Sequence, residues 1–133
     1  MAKPFIEIAL RLTGQGFSPD DVTEMVQLAP TKIWRRGDSV QKMDIKRKHD
    51  GWIFGLPRRE TYDMDGFLRE LLDTIEPHRD GIAEAVRQFG LEKEISFGVY
   101  LRDEAPASWF ASETIRRVSI FDASFDIDLI LTE

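Results

Sequence analysis

Two carboxylates near the end of the chain, Asp126 and Asp128, are spaced so that they could act together. Successive side chains of a β-strand alternate between its two faces, so both carboxylates would point to the same side. Such a pair can bind a divalent cation, or can hold one carboxyl at a raised pKa. Alternatively, both lie on a solvated strand face and pair with Arg11 or Arg102, as cross-strand charges commonly do. We favour the ion pairs, because the sequence indicates no further metal ligand.

The remaining signatures of catalysis are weak, and we predict no catalytic residue, no cofactor and no metal. The chain has no cysteine, and its two histidines, His49 and His78, stand far apart in the sequence. Gly14 and Gly16 lie where a dinucleotide fingerprint would begin, but the third glycine of that motif is absent. Aspartates also occupy the following helix start, where a phosphate would need positive potential.

A tryptophan beside two arginines marks the second candidate site, in the run Pro30-Thr31-Lys32-Ile33-Trp34-Arg35-Arg36-Gly37-Asp38. A tryptophan ring can stack on a ligand ring while neighbouring guanidiniums bind its anionic group. The alternative, which we favour, is that Trp34 packs across a hairpin near Trp52 as an aromatic cross-strand pair. The candidate binding residues of this hairpin are Trp34, Arg35, Arg36, Asp38, Lys46, Arg47, Lys48 and Trp52.

Positive charge is concentrated around this cluster, although the chain as a whole has a net charge of −6. Residues 31–60 contain nine basic and four acidic side chains, a balance of +5, so that the rest of the chain carries −11. This basic segment could meet an anionic partner or face the protein's own carboxylates. We expect no tight nucleic-acid binding, because the acidic remainder would repel a phosphate backbone.

Three segments alternate apolar and polar residues with the period of a β-strand. Their apolar positions are Ile6, Ile8, Leu10 and Leu12; Ile95, Phe97, Val99 and Leu101; and Phe125, Ile127, Leu129 and Leu131. This alternation indicates strands with one buried face and one wetter face, as in an antiparallel sheet rather than a doubly wound parallel sheet. The segments 33–36 and 51–56 add a hairpin with a long polar loop.

The predicted helices have recognisable ends. Ser18-Pro19-Asp20-Asp21 supplies an N-cap, a first-turn proline and acidic residues, and the apolar positions that follow run to Ala29. A helix with apolar positions from Met64 to Ile75 should end or kink at Pro77. The next helix should stop at Gly90, and the last should start at Ser112.

These elements, in the order strand, helix, hairpin, two helices, strand, helix, strand, predict a single α+β domain over residues 1–133. We expect a mainly antiparallel sheet of about five strands with helices packed on one face. Its first part has the connectivity of a split βαβ, ferredoxin-like core, extended by a further helix and strand. The other face would stay partly open, and its candidate residues are Arg11, Tyr100, Arg102, Asp126 and Asp128.

Several short motifs occur together across almost the whole chain. They are Ser18-Pro19, the run from Leu28 to Asp38, Gly51-Trp52, the helix with Leu68, Leu72 and Ile75, and the closing Asp126-Ile127-Asp128. In this combination the chain resembles a bacterial family of domains of unknown function, number 4279 of that series, with the stretch from Pro30 to Asp38 as the most specific part. The resemblance implies a small bacterial protein and brings no activity, cofactor or catalytic residue with it.

The sequence leaves three functions open. We favour a non-catalytic protein-interaction module, similar in kind to toxin-neutralising immunity proteins, which acts as a monomer or homodimer on another protein. The alternatives are a binder of an anionic small molecule or nucleic acid through the basic hairpin 31–60, and an enzyme that uses the open sheet face. The chain shows no signal peptide, no long apolar span and no cysteine, so we expect a cytoplasmic protein without membrane contact.

Overall fold

The computed structural model describes residues 2–40 and 45–132, so that Lys42 and Asp44 of the basic segment lie outside the described residues. The strands are β1 (Phe5–Gly14), β2 (Lys32–Trp34), β3 (Asp50–Glu60), β4 (Glu92–Leu101) and β5 (Ser124–Leu131). The helices are α1 (Pro19–Val26), α2 (Met64–Ile75), α3 (Arg79–Phe89) and α4 (Ser112–Ile120), with a 3₁₀ turn at Glu76–His78 between α2 and α3. The predicted order of elements and the α+β class are confirmed.

The strands form one sheet in the order β2-β3-β1-β4-β5, with the first strand of the chain at its centre. Three of the four pairings are antiparallel, as predicted, whereas β5 runs parallel to β4. A parallel neighbour requires a crossover connection, and the segment between Leu101 and Ser124, which includes α4, provides it. The ferredoxin-like description of the first four strands stays a prediction.

The hydrophobic core lies between one face of the sheet and the helices. Its strand residues include Ile6, Ile8, Leu10, Leu12, Trp52, Ile95, Phe97 and Val99, and its helix residues include Val22, Phe67, Leu68, Leu71, Leu72, Ile75, Ile82 and Ala85. Every second residue of β1 from Ile6 to Leu12 belongs to this set, which is what a period of two requires of a half-buried strand. The Trp52 indole N–H also donates a hydrogen bond to Thr23 Oγ1 on α1, at 3.0 Å.

Local sequence sets the ends of the helices. α1 begins at Pro19 as predicted, but it stops at Val26, because Gln27 takes the left-handed conformation with φ 61°. The prediction that α1 extends to Ala29 is therefore wrong by one turn. Gly90, with φ 64°, ends α3 as predicted, and a glycine adopts this conformation without steric cost.

The last strand differs from the expected pattern of burial. Its apolar residues Phe125, Ile127, Leu129 and Leu131 were expected to lie on a buried face, yet all four are exposed, Leu129 by 63% and Leu131 by 85%. The reason is that α4 packs on α2 and not over β5. Arg117 of α4 donates hydrogen bonds to Asp73 of α2 and to Glu76 of the following 3₁₀ turn, each at 2.7 Å. α4 therefore leaves most of β5 uncovered. Within the described ranges, no helix has the length and apolar character needed to cross a membrane.

Candidate functional site

The face of the sheet opposite the helices forms a cavity of about 580 Å³, which we call the trough. Its floor is a row of small residues that lie abreast on neighbouring strands: Gly55 on β3, Ala9 on β1 and Ser96 on β4. A Cβ atom on Gly55 would lie 2.9 Å from the Ile8 carbonyl oxygen, so this position favours glycine. Next to it β3 contains a bulge, because the three steps from Leu56 to Arg59 oppose only two steps from Ile8 to Ile6 on β1. These small floor residues leave open space above the middle of the sheet.

Charged side chains form the two walls of the trough. On one side Arg11 stands beside Glu94, its registered neighbour on β4. On the other side the Arg58 guanidinium lies 4.2 Å from the centroid of the Tyr100 ring, and the Tyr100 hydroxyl donates to the Glu7 carboxylate at 3.4 Å. These contacts hold Tyr100 in place by a cation–π interaction and a hydrogen bond.

The charge of the trough changes sign from one end to the other. Asp126 and Asp128 line its end on β5, and Lys32 lines its end on β2. Five strands span about 19 Å, so the two ends lie well beyond a Debye length at physiological salt and keep separate electrostatic characters.

Two groups on this face have pKa values above their ordinary range. Burial raises the pKa of the Glu94 carboxyl, and the Asp126 charge raises it further, while Arg11 partly offsets both effects. Burial also raises the pKa of the Tyr100 hydroxyl, as does the Glu7 carboxylate, against the opposing charge of Arg58. Within the described residues, no group of three or more His, Cys, Asp or Glu side chains could hold a metal ion.

The two carboxylates of β5 do not form the ion pairs expected for them. Among the described residues, neither Asp126 nor Asp128 has a salt-bridge partner. Arg102 follows the last residue of β4 and pairs with Glu60 at 3.0 Å, with its guanidinium over the ring of Phe5. Arg11 lies on β1, about 10 Å and two strands from β5. Register therefore explains why the expected pairs are absent.

Trp34 lies on the open face and not beside Trp52. In the register of β2 and β3, Trp34 stands opposite Gly51, and a Cβ atom on Gly51 would overlap the indole ring. The guanidiniums of Arg11 and Arg47 lie over that ring, 5.1 Å and 4.3 Å from its centroid. Trp34 is consequently only 4% exposed, while Trp52 is fully buried on the helix side of the sheet.

Backbone hydrogen bonds to two aspartates organise the rest of the hairpin. The Arg35 amide donates to the Asp38 carboxylate, and the Arg36 amide donates to Asp50, each at 2.8 Å. The basic side chains of the predicted set that remain exposed are Arg35, Arg36, Lys46 and Lys48. Arg35 pairs with Asp20 at 3.6 Å, and Lys46 donates a hydrogen bond to Ser39 Oγ. The binding role of these residues stays a prediction.

The structure thus brings four of the five predicted open-face residues to the trough or its walls: Arg11, Tyr100, Asp126 and Asp128. Glu7, which the alternation of β1 also predicts on this face, lies there too, whereas Arg58, Glu94 and Ser96 belong to this face and were not among the candidates. The alternation in β1 and β4 places Glu7, Glu94 and Ser96 there. Arg58 could not be placed, because β3 was predicted to end at Leu56 and continues to Glu60.

The outer edge of β5 is the second feature of the site. No described strand pairs with this edge, and β5 has eight residues with neither proline nor lysine. Natural edge strands are commonly protected by proline, lysine or a bulge, because an unpaired edge is a template for another strand. β5 therefore combines three exposed features: an apolar row toward the helix side, carboxylates toward the trough, and free backbone groups between them.

Comparison with known proteins places the chain in a family. The family model described as "Domain of unknown function (DUF4279)" matches residues 4–132, and the chain therefore belongs to this family. The resemblance drawn from the sequence motifs is confirmed. No curated protein and no solved structure matches the chain.

Proposed function

We propose that this member of the DUF4279 family is a non-catalytic protein-interaction module that contacts its partner through β5. The observation that carries the proposal is the exposed apolar row of Phe125, Ile127, Leu129 and Leu131. Single exposed apolar residues are ordinary on a protein surface, whereas a contiguous apolar patch marks an interaction site.

Further apolar side chains enlarge this surface around β5. Phe110 packs against Phe125 with ring centroids 5.4 Å apart, and both rings contact Phe97 of the core. Trp109, in the segment before α4, is exposed. An aromatic cluster anchored in the core and rimmed by an exposed tryptophan is typical of the centre of a protein interface.

The unpaired edge of β5 adds directional contacts to this apolar surface. Backbone N–H and C=O groups along an edge strand can form hydrogen bonds with an incoming strand, which gives affinity independently of side chains. An immunity-like role, in which the chain covers a functional surface of another protein, is one form of this activity.

The enzyme alternative has less support from the open face. Its tyrosine hydroxyl is engaged by Glu7 and its ring by Arg58, and Arg11 stacks on Trp34. These contacts stabilise the sheet and engage Tyr100, Glu7, Arg58 and Arg11 with one another, as in a surface charge lattice.

Photo-crosslinking at single positions tests the proposal in cells of the source organism. A photoreactive amino acid replaces Ile127 or Leu129 on β5, and in a matched control it replaces Ile33, an apolar residue on the opposite edge strand that is 39% exposed. We expect discrete crosslinked proteins from the two β5 positions and background labelling from Ile33. Equal patterns at all three positions, or none at any of them, would show that β5 is not an interface.

A further inference from the structure

We infer that β5 recognises an extended strand in which basic and apolar residues alternate. The inference rests on the proposed function, since both place the contact on β5, and it specifies the chemistry of the partner. A strand that adds to an exposed edge continues the sheet, and its side chains alternate between the two faces in step with those of β5.

The helix side of the added strand must be apolar. Its side chains would lie beside Ile127 and Leu129, which no described element covers. Cross-strand neighbours on one face approach to about 5 Å between Cβ atoms, close enough for apolar side chains to exclude water from each other. Polar residues at these positions would lose water without gaining a partner.

The trough side of the added strand must be cationic. Asp126 and Asp128 face this side, and their inner neighbours on β4 are Ser96 and Gly98, which are small and uncharged. The carboxylates have no described ion partner, and they are exposed at the edge where a new strand would lie. Lysine or arginine at alternate positions of that strand would stand opposite them.

A second copy of this chain fits the edge less well. Antiparallel pairing of β5 with itself about a two-fold axis keeps each face of the strand on the same side. With Ile127 on the axis, Asp126 of one copy stands opposite Asp128 of the other, and with Asp128 on the axis the two Asp128 side chains meet. These registers overlap the strand most fully, and both set like charges directly opposite each other, which is destabilising.

Three synthetic peptides of nine residues test the inference against the full chain. In the first, lysine alternates with valine; in the second, the same residues are grouped in two blocks; in the third, glutamate replaces lysine. Binding is followed by the amide resonances of the protein and by amide hydrogen exchange. We expect the alternating lysine peptide to shift and protect amides of residues 124–131, and to bind at least fivefold more tightly than the other two.

Matched variants separate recognition by β5 from general attraction to an acidic protein. The double variant Asp126→Asn, Asp128→Asn should weaken the lysine peptide about fivefold, the effect of two cross-strand ion pairs. The control Asp20→Asn, Asp21→Asn makes the same change in net charge on α1 and should leave the affinity unchanged.

Several results would overturn the inference. They are equal binding of the block or glutamate peptide, equal losses in both double variants, and no effect of any peptide on β5. A concentration-dependent dimer in sedimentation that is abolished by Leu129→Ser would instead assign the edge to a second copy. Crosslinks from positions 127 and 129 would still support the proposed function in each case, whereas their absence would remove it whatever the peptides do.

Discussion

The guanidinium of Arg11 lies over the ring of Trp34, 5.1 Å from its centroid, and connects the middle of the sheet to the basic hairpin. The guanidinium of Arg47, in the loop that precedes β3, lies over the same ring at 4.3 Å from its centroid. The tryptophan thus acts as a support for two cations, and Gly51 beneath it leaves the space that the ring needs. The basic segment and the open face form one connected surface at this point.

The contact between Trp34 and Gly51 predicts strong coupling between the two positions. Trp34→Ala should lower the free energy of unfolding by about 3 kcal/mol, the cost of removing a large buried side chain. Gly51→Ala should cost about 2 kcal/mol, because its Cβ displaces the indole. In the Trp34→Ala background the same substitution should cost far less. Urea denaturation of the four proteins measures the cycle, and additive losses would contradict it.

Gly81 predicts a close approach between α3 and α1. A Cβ atom at this position would overlap the Met25 carbonyl oxygen and lie 3.1 Å from the Val26 Cα atom. Gly81→Ala should therefore lower the free energy of unfolding by about 2 kcal/mol, although alanine favours helices more than glycine does. Ala83→Ser, at an exposed position of α3, is the control and should stay within about 0.5 kcal/mol. A stabilised Gly81→Ala protein would mean that the helices separate freely.

Asp65 predicts a loss of stability in acid. This buried carboxylate accepts hydrogen bonds from the Ala111 amide at 3.0 Å and from Arg69 Nε at 3.1 Å. Burial would raise its pKa, but the Ala111 amide and the Arg69 charge outweigh burial and hold the pKa below its usual range. Its stabilising effect is thus present above the unfolded pKa of about 3.9 and is lost as pH falls through the folded value.

Asp65→Asn tests this pH dependence, because asparagine keeps the shape and removes the charge. We expect the variant to be less stable than the parent by about 1 kcal/mol at pH 7. The difference should shrink as pH falls below about 4. Thermal denaturation across this range measures it, and a constant difference would show that the charge is not involved.

Glu94 predicts a pH dependence of stability opposite in sign to that of Asp65. Because burial and Asp126 raise its pKa in the folded state, ionisation of this group opposes folding above its unfolded pKa of about 4.3. Glu94→Gln should raise the melting temperature at pH 7, and the gain should disappear as pH falls below about 4. Glu24→Gln, at an exposed position of α1, serves as the control. A variant less stable than the parent at pH 7 would mean that the contact with Arg11 dominates.

The alternation of apolar and polar residues predicted correctly which segments form strands, but it predicted less well which strand faces are covered by helices. The alternation in β1 and β4 identified both strands and their buried faces, because central strands have a core on one side only. The same alternation in β5 identified a strand, but period two does not reveal whether a helix lies over the apolar face. The parallel pairing of β5 was not predicted, although the 22 residues between Leu101 and Ser124 are long enough for the crossover that a parallel neighbour requires.

In the candidate site, too, the sequence predicted which face a side chain occupies but not which residues it contacts. Tyr100 and Asp128 could be placed on the open face because side-chain parity is fixed within each strand. Partners such as Arg58 with Tyr100 depend on which strands lie side by side and on where β3 ends. Trp34 and Trp52 were expected to pack near each other, but a shift of one residue in register sets them on opposite faces.

The central position of the first strand has a consequence for synthesis on the ribosome. β1 is made first, yet its two neighbours are β3 and β4, so its second edge stays unpaired until Leu101 has emerged. At roughly 5–20 residues per second, the nascent chain carries this strand half-paired for a few seconds after β3 is complete. Pairing across such a long separation is intrinsically slow, and an unpaired apolar edge promotes aggregation meanwhile. The nascent chain therefore exposes an unpaired strand edge, which a chaperone could protect, until β4 has emerged.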